Sequence, residues 1–209
     1  MASSTTEPLA EVAAYYAAKL AAHGQTARGV DWNGEESQLL RFAQLMKVAE
    51  TCEDFSLHDL GCGYGALYDY LRASGRRVRY SGFDISSEMI AVARATYAAD
   101  DARWVVAAQP DTRADYCVAS GIFNVRLRSS DADWLAHIEA VVEQLHDSST
   151  RGFAFNCLTA YSDTDRMRDY LYYADPCRLF DLCKRRYSRH VALLHDYGLY
   201  EFTIVVKKF

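Results

Sequence analysis

The chain has 209 residues, of which 50% are hydrophobic and 24% charged, and its formal net charge is −5. This length and composition are typical of one globular domain and exclude a disordered chain. The negative charge argues against a broad nucleic-acid surface, which needs an excess of Lys and Arg. No apolar run has membrane-spanning length, and residues 1–12 lack the pattern of a signal peptide. We therefore expect a cytoplasmic protein that binds neither nucleic acid nor membrane.

Two amphipathic helices are predicted before the first strand. Residues 7–23 place apolar side chains at helical intervals, and residues 35–50 repeat that pattern with Asn33 as the predicted cap. We expect residues 1–50 to form a helical cover segment and residues 51–209 to form the core of a single domain.

Strand and helix patterns alternate through the middle of the chain, which indicates a doubly wound, mostly parallel α/β sheet. Near the end, "RHVALLHDYGLYEFTIVVKK" reads as two strands around a turn, so an antiparallel hairpin is expected to finish the sheet. The strands before it are expected at 55–60, 78–83, 103–107, 115–119 and 152–158, and the helices at 65–73, 86–99 and 132–146.

The cysteines of the chain show no CxxC pair and no spacing that suits a metal. We expect them to be reduced, since a buried thiol behaves as a small hydrophobic group. The sequence therefore predicts no metal site. The six residues are Cys52, Cys62, Cys117, Cys157, Cys177 and Cys183.

A glycine-rich segment, "DLGCGYG" at 59–65, follows the first predicted strand and opens a helix. Bare backbone there lets a ligand approach closely, and the helix start offers free N–H groups. Asp84 ends the second predicted strand, and in a doubly wound sheet the carboxyl ends of these two strands are adjacent. A carboxylate at that place can accept both hydroxyl hydrogens of a ribose. Ser86 is expected to cap the next helix, which leaves Asp84 free for a ligand.

The spacing of the glycines favours one nucleoside cofactor over another. Dinucleotides prefer G-x-G-x-x-G, because their pyrophosphate lies on the helix terminus. Here the spacing is G-x-G-x-G after Asp59, an acid that repels a pyrophosphate but can bind a cationic amine. S-adenosylmethionine carries an amino-acid tail and no phosphate, so this pattern favours the methyl donor.

The stretches "LHDLGCGYGALYDYL", "YSGFDISSEMIAVA" and "ADYCVASGIFNV", with the terminal hairpin, resemble the class I S-adenosylmethionine-dependent methyltransferases. The resemblance covers about residues 35–209 and implies a seven-stranded Rossmann-like sheet. Where relatives carry an acid for the adenine amine, this chain reads "VVAAQPD", with Gln109 or a backbone carbonyl as the substitute. The residues implied at the donor are Asp59, Gly61, Cys62, Gly63 and Gly65 around the methionine part, Asp84 at the ribose, Ile85 and Met89 on the adenine, and Ser120 and Gly121 near the sulfonium.

The acceptor side is argued by position. "SGIFN" replaces the (N/D)PP(Y/F) motif of enzymes that methylate bases and amides, so we expect a small-molecule acceptor, for example a natural product or sugar derivative, methylated at O or N. Residues at the carboxyl ends of the strands and in the two covering segments are the candidates. Catalytic candidates are Tyr161, Asp163 and His195, and substrate-binding candidates are Trp32, Phe123, Asn124, Tyr172 and Tyr173.

Several alternatives stay open from the sequence. Trp32 can be core filler, the Tyr-rich segment 161–176 can be a packed helix, and His195 can pair with Asp196 to stabilise a turn. A protein or RNA methyltransferase would use the basic run 184–190, and a non-catalytic domain would bind the nucleoside without turnover. A nicotinamide oxidoreductase would need its third glycine one residue later. A monomer and a homodimer are equally compatible.

Overall fold

The computed structural model describes residues 6–32 and 34–209, so the predicted cap Asn33 lies outside the described residues. Seven strands form one sheet in the order β3-β2-β1-β4-β5-β7-β6. β1 to β5 pair in parallel, whereas β7 pairs antiparallel with both β5 and β6. The strands are β1 (Asp54–Leu60), β2 (Arg77–Asp84), β3 (Arg103–Val106), β4 (Ala114–Ala119), β5 (Ser149–Leu158), β6 (His190–Leu194) and β7 (Glu201–Lys207).

Within residues 6–32 and 34–209, six α-helices and three short 3-10 turns connect and cover the strands. The turns span Ala27–Val30, Met46–Ala49 and Thr164–Arg166. The helices are α1 (Thr6–His23), α2 (Glu35–Leu45), α3 (Ala66–Ala73), α4 (Ser87–Thr96), α5 (Asp131–Asp147) and α6 (Pro176–Arg186). The predicted doubly wound sheet with a terminal hairpin is confirmed, and the predicted elements fall within a few residues of their observed bounds.

The core lies on both faces of the sheet. On one face, Cys117 and Ala119 of β4 pack with α5 and with the phenylalanines of β5. On the other face, Tyr116 and Val118 of β4 pack with α2, α3 and α4. α2 therefore belongs to the hydrophobic core, where Phe42 is buried, while α1 lies against the 27–30 turn and α4.

α6 is a helix that the sequence analysis did not predict. Asp175 caps it by accepting hydrogen bonds from the backbone N–H groups of Cys177 (2.8 Å) and Arg178 (3.2 Å), and Pro176 occupies its first turn. An acidic cap followed by Pro is a recognised helix start, and it is the signal that was available in the sequence. The Tyr-rich segment before it is irregular, so the packed-helix alternative for 161–176 is wrong.

The described residues contain no helix that is both long and apolar enough to cross a bilayer. Within the same residues, no group of His, Cys, Asp and Glu is arranged to hold a metal ion. All six cysteines are free thiols, of which Cys62, Cys117, Cys157 and Cys183 are buried.

Gly65 makes room for an aromatic cluster beneath the glycine loop. Tyr97 stacks on Trp104 with ring centroids 5.3 Å apart, and Tyr68 and Tyr80 pack on the same indole. A Cβ on Gly65 would lie 2.6 Å from Tyr97 Cε2 and 2.7 Å from Trp104 Cη2, and its φ of +95° is left-handed. The third glycine of the motif therefore serves helix packing, and it does not face the ligand cavity described below.

We expect Gly65→Ala to destabilise the fold by about 1–3 kcal/mol more than Gly75→Ala, because only Gly65 adds overpacking to the left-handed strain. Gly75 has a similar φ of +74° but nothing within 4 Å of its Cβ position, which makes it the matched control. Urea denaturation of the two variants measures the difference. Equal losses of stability would show that the aromatic cluster tolerates the extra methyl group.

Candidate active site

The loop between β1 and α3 is held against the end of β2. The N–H groups of Gly61 and Cys62 both donate to the carbonyl of Phe83, at 2.7 and 3.1 Å. Gly61 and Gly63 have φ of +75° and +55°, and a Cβ on Gly61 would collide with the side chain of Ile122. The loop therefore has a backbone conformation that residues with a Cβ could not adopt without strain. Because these positions carry no side chain, the loop backbone itself forms part of the wall of a cavity.

Asp84 links this loop to the start of α4. One carboxylate oxygen accepts from the Gly63 N–H at 2.9 Å and the other from the Ser86 N–H at 2.8 Å. Ser86 caps α4 by accepting from the Met89 N–H at 3.2 Å, as predicted. Burial raises the pKa of the Asp84 carboxyl, and the two backbone donors partly oppose that shift. Each oxygen keeps lone pairs that can accept further hydrogen bonds.

Asp59 is the second carboxylate, near the end of β1. It is 2% exposed and accepts a hydrogen bond of 2.6 Å from the Tyr80 hydroxyl. Burial raises the pKa of Asp59 to about 7, with the Tyr80 hydrogen bond acting in the opposite direction. A positive charge placed in the adjoining cavity would favour the ionised form of this carboxyl.

A cavity of about 1080 Å³, including its open mouth, lies over these strand ends. Its wall is mostly apolar, and among the described residues that form it the charged groups are Asp59 and Asp84, with no Lys or Arg. The polar side chains on the wall are Tyr16, Gln38, Asp59, Tyr64, Asp84, Ser86, Ser120 and His137.

α1 and the residues after it close the cavity from above. Leu9, Val12, Ala13 and Tyr16 of α1 face the cavity. The helix is fixed through Asp31, since the Tyr15 hydroxyl donates to one oxygen at 2.6 Å and Lys19 pairs with the other at 2.7 Å.

Most of the residues predicted at the donor are brought together here. Nine of the ten line the cavity, and Gly65 is the exception described above. Trp32 also lines it, so the core-filler alternative for that residue is wrong. The exposed Gln109 does not line it, but Ala107 and Ala108 before it do. The nine are Asp59, Gly61, Cys62, Gly63, Asp84, Ile85, Met89, Ser120 and Gly121.

The other predicted substrate-binding residues do not reach the cavity. Phe123 is fully buried against Phe155, and Asn124 accepts a hydrogen bond from the Leu158 N–H at 3.1 Å. Tyr172 lines a shallow surface groove beside α5, and the Tyr173 hydroxyl accepts from the Arg168 N–H at 2.9 Å. These side chains support the segment that follows β5, and the expectation that they line the cavity is wrong.

The predicted catalytic residues also lie outside the cavity wall. Tyr161 is 69% exposed and lies 6.0 Å from the His195 ring, measured between centroids. Asp163 accepts a hydrogen bond from the exposed Tyr200. Tyr161 and Asp163 follow β5 and His195 follows β6, whereas the cavity lies over the ends of β1 to β4, so a position past a strand end does not bring these three side chains to it.

Polar residues that the sequence analysis did not assign to the site also lie on the wall. His137 of α5 lines the cavity with Trp134 and Val141, one helical face at i, i+3 and i+7. Burial lowers the pKa of the His137 imidazole, which favours its neutral form, a proton acceptor. Gln38 of α2 is buried and also lines the wall. The helical spacing of Trp134, His137 and Val141 can be read from the sequence, but the sequence does not show that this face of α5 is turned toward the cavity.

The family described as "Methyltransferase domain" matches residues 58–152, which include the glycine loop, Asp84 and β4. The chain belongs to the methyltransferases. A relative named "Putative methyltransferase Rv1506c" from Mycobacterium tuberculosis is 60% identical over 164 residues, covering 78% of this chain and 99% of the relative.

Solved structures share this fold at low sequence identity. The DhpI–SAM–HEP complex matches with a TM-score of 0.68 and 14% identity, covering 98% of this chain and 100% of that one. A SAM-dependent methyltransferase of Leishmania major matches with a TM-score of 0.63 and 16% identity, over 96% and 82%. Magnesium protoporphyrin IX methyltransferase (ChlM) of Synechocystis, with bound SAH, matches with a TM-score of 0.61 and 14% identity, over 83% and 84%.

Proposed function

We propose that the cavity binds S-adenosylmethionine and that the enzyme transfers its methyl group to an oxygen or nitrogen of a small molecule. The observation that carries this proposal is a cavity with two carboxylates, three glycines and no basic side chain among the described residues of its wall. Asp84 would accept from the ribose hydroxyls, and the glycine loop with Asp59 would surround the methionine part. Ile85 and Met89 would pack on the adenine.

The charges of the wall support a cationic nucleoside. S-adenosylmethionine brings a sulfonium and an ammonium group, which two buried carboxylates attract. A dinucleotide would place a pyrophosphate next to the same carboxylates with no Lys or Arg on the wall to compensate, and its binding would be opposed.

The enclosure of the cavity supports a small acceptor. α1 and Trp32 lie over it, which leaves little open surface for a macromolecule to enter. Two arginines of the basic run 184–190 are already paired with acids of this chain, since Arg185 lies 2.7 Å from Asp181 and Arg186 lies 2.7 Å from Glu143. The named solved neighbour ChlM also acts on a small molecule, a magnesium protoporphyrin. We therefore favour a small-molecule acceptor over a protein or RNA.

The bound donor supplies a methyl group on sulfur for an in-line displacement, and the protein's part is to align the acceptor and exclude water. Trp32 and Tyr16 enclose the region above Ser120 and Gly121. His137 on the wall is a neutral imidazole that can accept a proton where an acceptor hydroxyl needs a base.

Transfer of label tests the proposed acceptor class. The protein is incubated with methyl-labelled S-adenosylmethionine and a bacterial extract, and the products are separated by ultrafiltration. We expect label in the small-molecule fraction, and less of it with an Asp84→Asn variant at a donor concentration below saturation. Label confined to protein or RNA, with a steep dependence on salt, would contradict the proposal.

Donor binding is expected to depend on pH through Asp59. Its carboxyl is neutral below a pKa of about 7 and ionised above it, and the ionised form attracts the cationic donor. The affinity for S-adenosylmethionine should therefore rise by about tenfold between pH 6 and pH 8, and Asp59→Asn should remove most of that rise. Calorimetric titration at both pH values measures it. An equal rise in the variant would assign the pH dependence to another group.

A further inference from the structure

A buried ion pair joins the segment before β1 to the last strand of the sheet. Arg41 of α2 donates to both carboxylate oxygens of Glu201, the first residue of β7, at 2.7 and 2.8 Å. Arg41 is 5% exposed and Glu201 is 1% exposed. In the sheet, Glu201 lies opposite Leu158 at the end of β5, so the pair is at the edge where the cavity opens.

Stability alone does not account for this pair. Removing two charges from water is costly, and well-packed apolar residues of similar volume often serve the fold equally well. One guanidinium nitrogen, Nη1, is buried without a hydrogen-bond partner among the described residues, which adds to the cost. What the pair contacts is therefore a better guide to its role.

Arg41 contacts the ring of Trp32. Its guanidinium carbon lies 3.9 Å from the ring centroid, a close cation–π contact. The benzene edge of the same indole lies against Gly121, where a Cβ would collide with it. The Gly121 N–H in turn donates to the Asn156 side chain at 2.7 Å. Trp32 is thus fixed on one face by Arg41 and on one edge by Gly121, and it still lines the cavity.

Trp32 lies at the end of the cavity away from the proposed nucleoside site. Asp84, Ile85 and Met89 follow β2, whereas Gly121 follows β4, on the other side of β1. With the ribose at Asp84, the region beside Gly121 and Trp32 is where an acceptor can meet the methyl group.

The charges around Trp32 select against ionic acceptors. An anionic acceptor would find no Lys or Arg on the described part of the wall. A cationic acceptor stacked on the indole would have to share the Trp32 ring with the Arg41 guanidinium, which already makes a cation–π contact with it. An uncharged group with a flat apolar face meets neither penalty, and it buries apolar surface area when it packs on the indole ring.

We propose that Trp32 is the wall on which the acceptor packs, that the acceptor is an uncharged ring compound, and that Arg41 with Glu201 is the positioning pair for the indole. This inference rests on the proposed function. An aromatic ring and a pyranose both present a flat apolar face, so the test includes both.

The test uses the full chain saturated with S-adenosylhomocysteine, titrated by calorimetry with three probes. The aromatic probe is 2-naphthol, its anionic counterpart is 3-hydroxy-2-naphthoate, and the pyranose is methyl β-D-glucopyranoside. We expect saturable binding of at least one uncharged probe. We also expect the naphthoate to bind about tenfold more weakly than 2-naphthol when the aromatic probe is the one that binds.

Substitutions then distinguish the loss of the packing surface at Trp32 from a general loss of folding. Trp32→Ala and the double variant Arg41→Met with Glu201→Leu should each weaken the uncharged probe about tenfold, with S-adenosylhomocysteine affinity within about twofold of the unaltered protein. Phe209→Leu, which alters an exposed aromatic outside the cavity, is the control and should change neither affinity.

Three results would overturn the inference: no binding of either uncharged probe, naphthoate binding as tight as 2-naphthol, or a folded double variant with unchanged probe binding. The comparison of 2-naphthol with 3-hydroxy-2-naphthoate uses the unaltered protein, so it tests the preference for an uncharged acceptor even where a variant fails to fold. Loss of S-adenosylhomocysteine binding by the unaltered protein would count against the proposed function instead.

Discussion

Asp84→Asn is expected to weaken the binding of S-adenosylhomocysteine by about 1–3 kcal/mol, which is a factor of about 5 to 150 in the dissociation constant. In the proposed site this carboxylate accepts from the ribose hydroxyls while it holds the Gly63 and Ser86 N–H groups. An amide retains only one acceptor oxygen, and its NH₂ group would face one of those N–H donors. Both the ligand contact and the shape of the glycine loop are affected, which is why the effect is large.

Calorimetry with S-adenosylhomocysteine measures the effect, and Asp101→Asn is the matched control. Asp101 is an exposed carboxylate beyond α4, so its replacement removes the same charge without touching the cavity. Thermal unfolding of both variants checks that they are folded. An Asp84→Asn affinity equal to that of the control would remove Asp84 from the ligand site.

Arg41→Met alone is expected to lower the free energy of unfolding by about 3–5 kcal/mol, because it leaves the Glu201 carboxylate buried without its partner. A domain of this kind has a total stability of about 5–15 kcal/mol, so the loss is a large fraction of it. Adding Glu201→Leu should restore most of the stability, since no unpaired charge then remains in the core.

Urea denaturation of the single and double variants measures this effect. The ion pair Lys207–Glu50 serves as the comparison, because it is partly exposed at 2.9 Å and its loss should cost less than about 1 kcal/mol. A single variant as stable as the unaltered protein would mean that the buried pair contributes no net free energy. A double variant no more stable than the single one would show that the charges themselves are needed for folding.

The residues proposed to bind the donor could be brought together from the sequence because their position in the cavity depends on local sequence. The glycine loop, Asp84 and the Ser86 cap follow directly from strand ends, and parallel strands bring their carboxyl ends together. Gly65 is the instructive exception, since its role depends on Tyr97 and Trp104, whose packing no local pattern reveals.

The acceptor side could not be predicted in the same way. Tyr161, Asp163 and His195 follow the ends of β5 and β6, but the cavity lies over the ends of β1 to β4, and Asp163 accepts a hydrogen bond from Tyr200 instead. Arg41 and Glu201 are 160 residues apart, and nothing in the sequence links them. Non-local pairing of this kind is decided by tertiary packing, which periodicity does not report.

His137 shows the same limit on a helix. Its spacing from Trp134 and Val141 placed it on an apolar face, and an apolar face is usually core. Trp134 and Val141 do belong to the core, but the same face also lines the cavity. A helical pattern gives the face, but only the packed structure tells which part of it meets a ligand.

The most direct measurement is a pair of calorimetric titrations of the unaltered protein, one with S-adenosylhomocysteine and one with NAD. Two carboxylates lie beside the glycine loop, and the described wall carries no Lys or Arg. We therefore expect one-to-one binding of S-adenosylhomocysteine and no binding of NAD. Uptake of NAD by a protein that ignores S-adenosylhomocysteine would contradict the account.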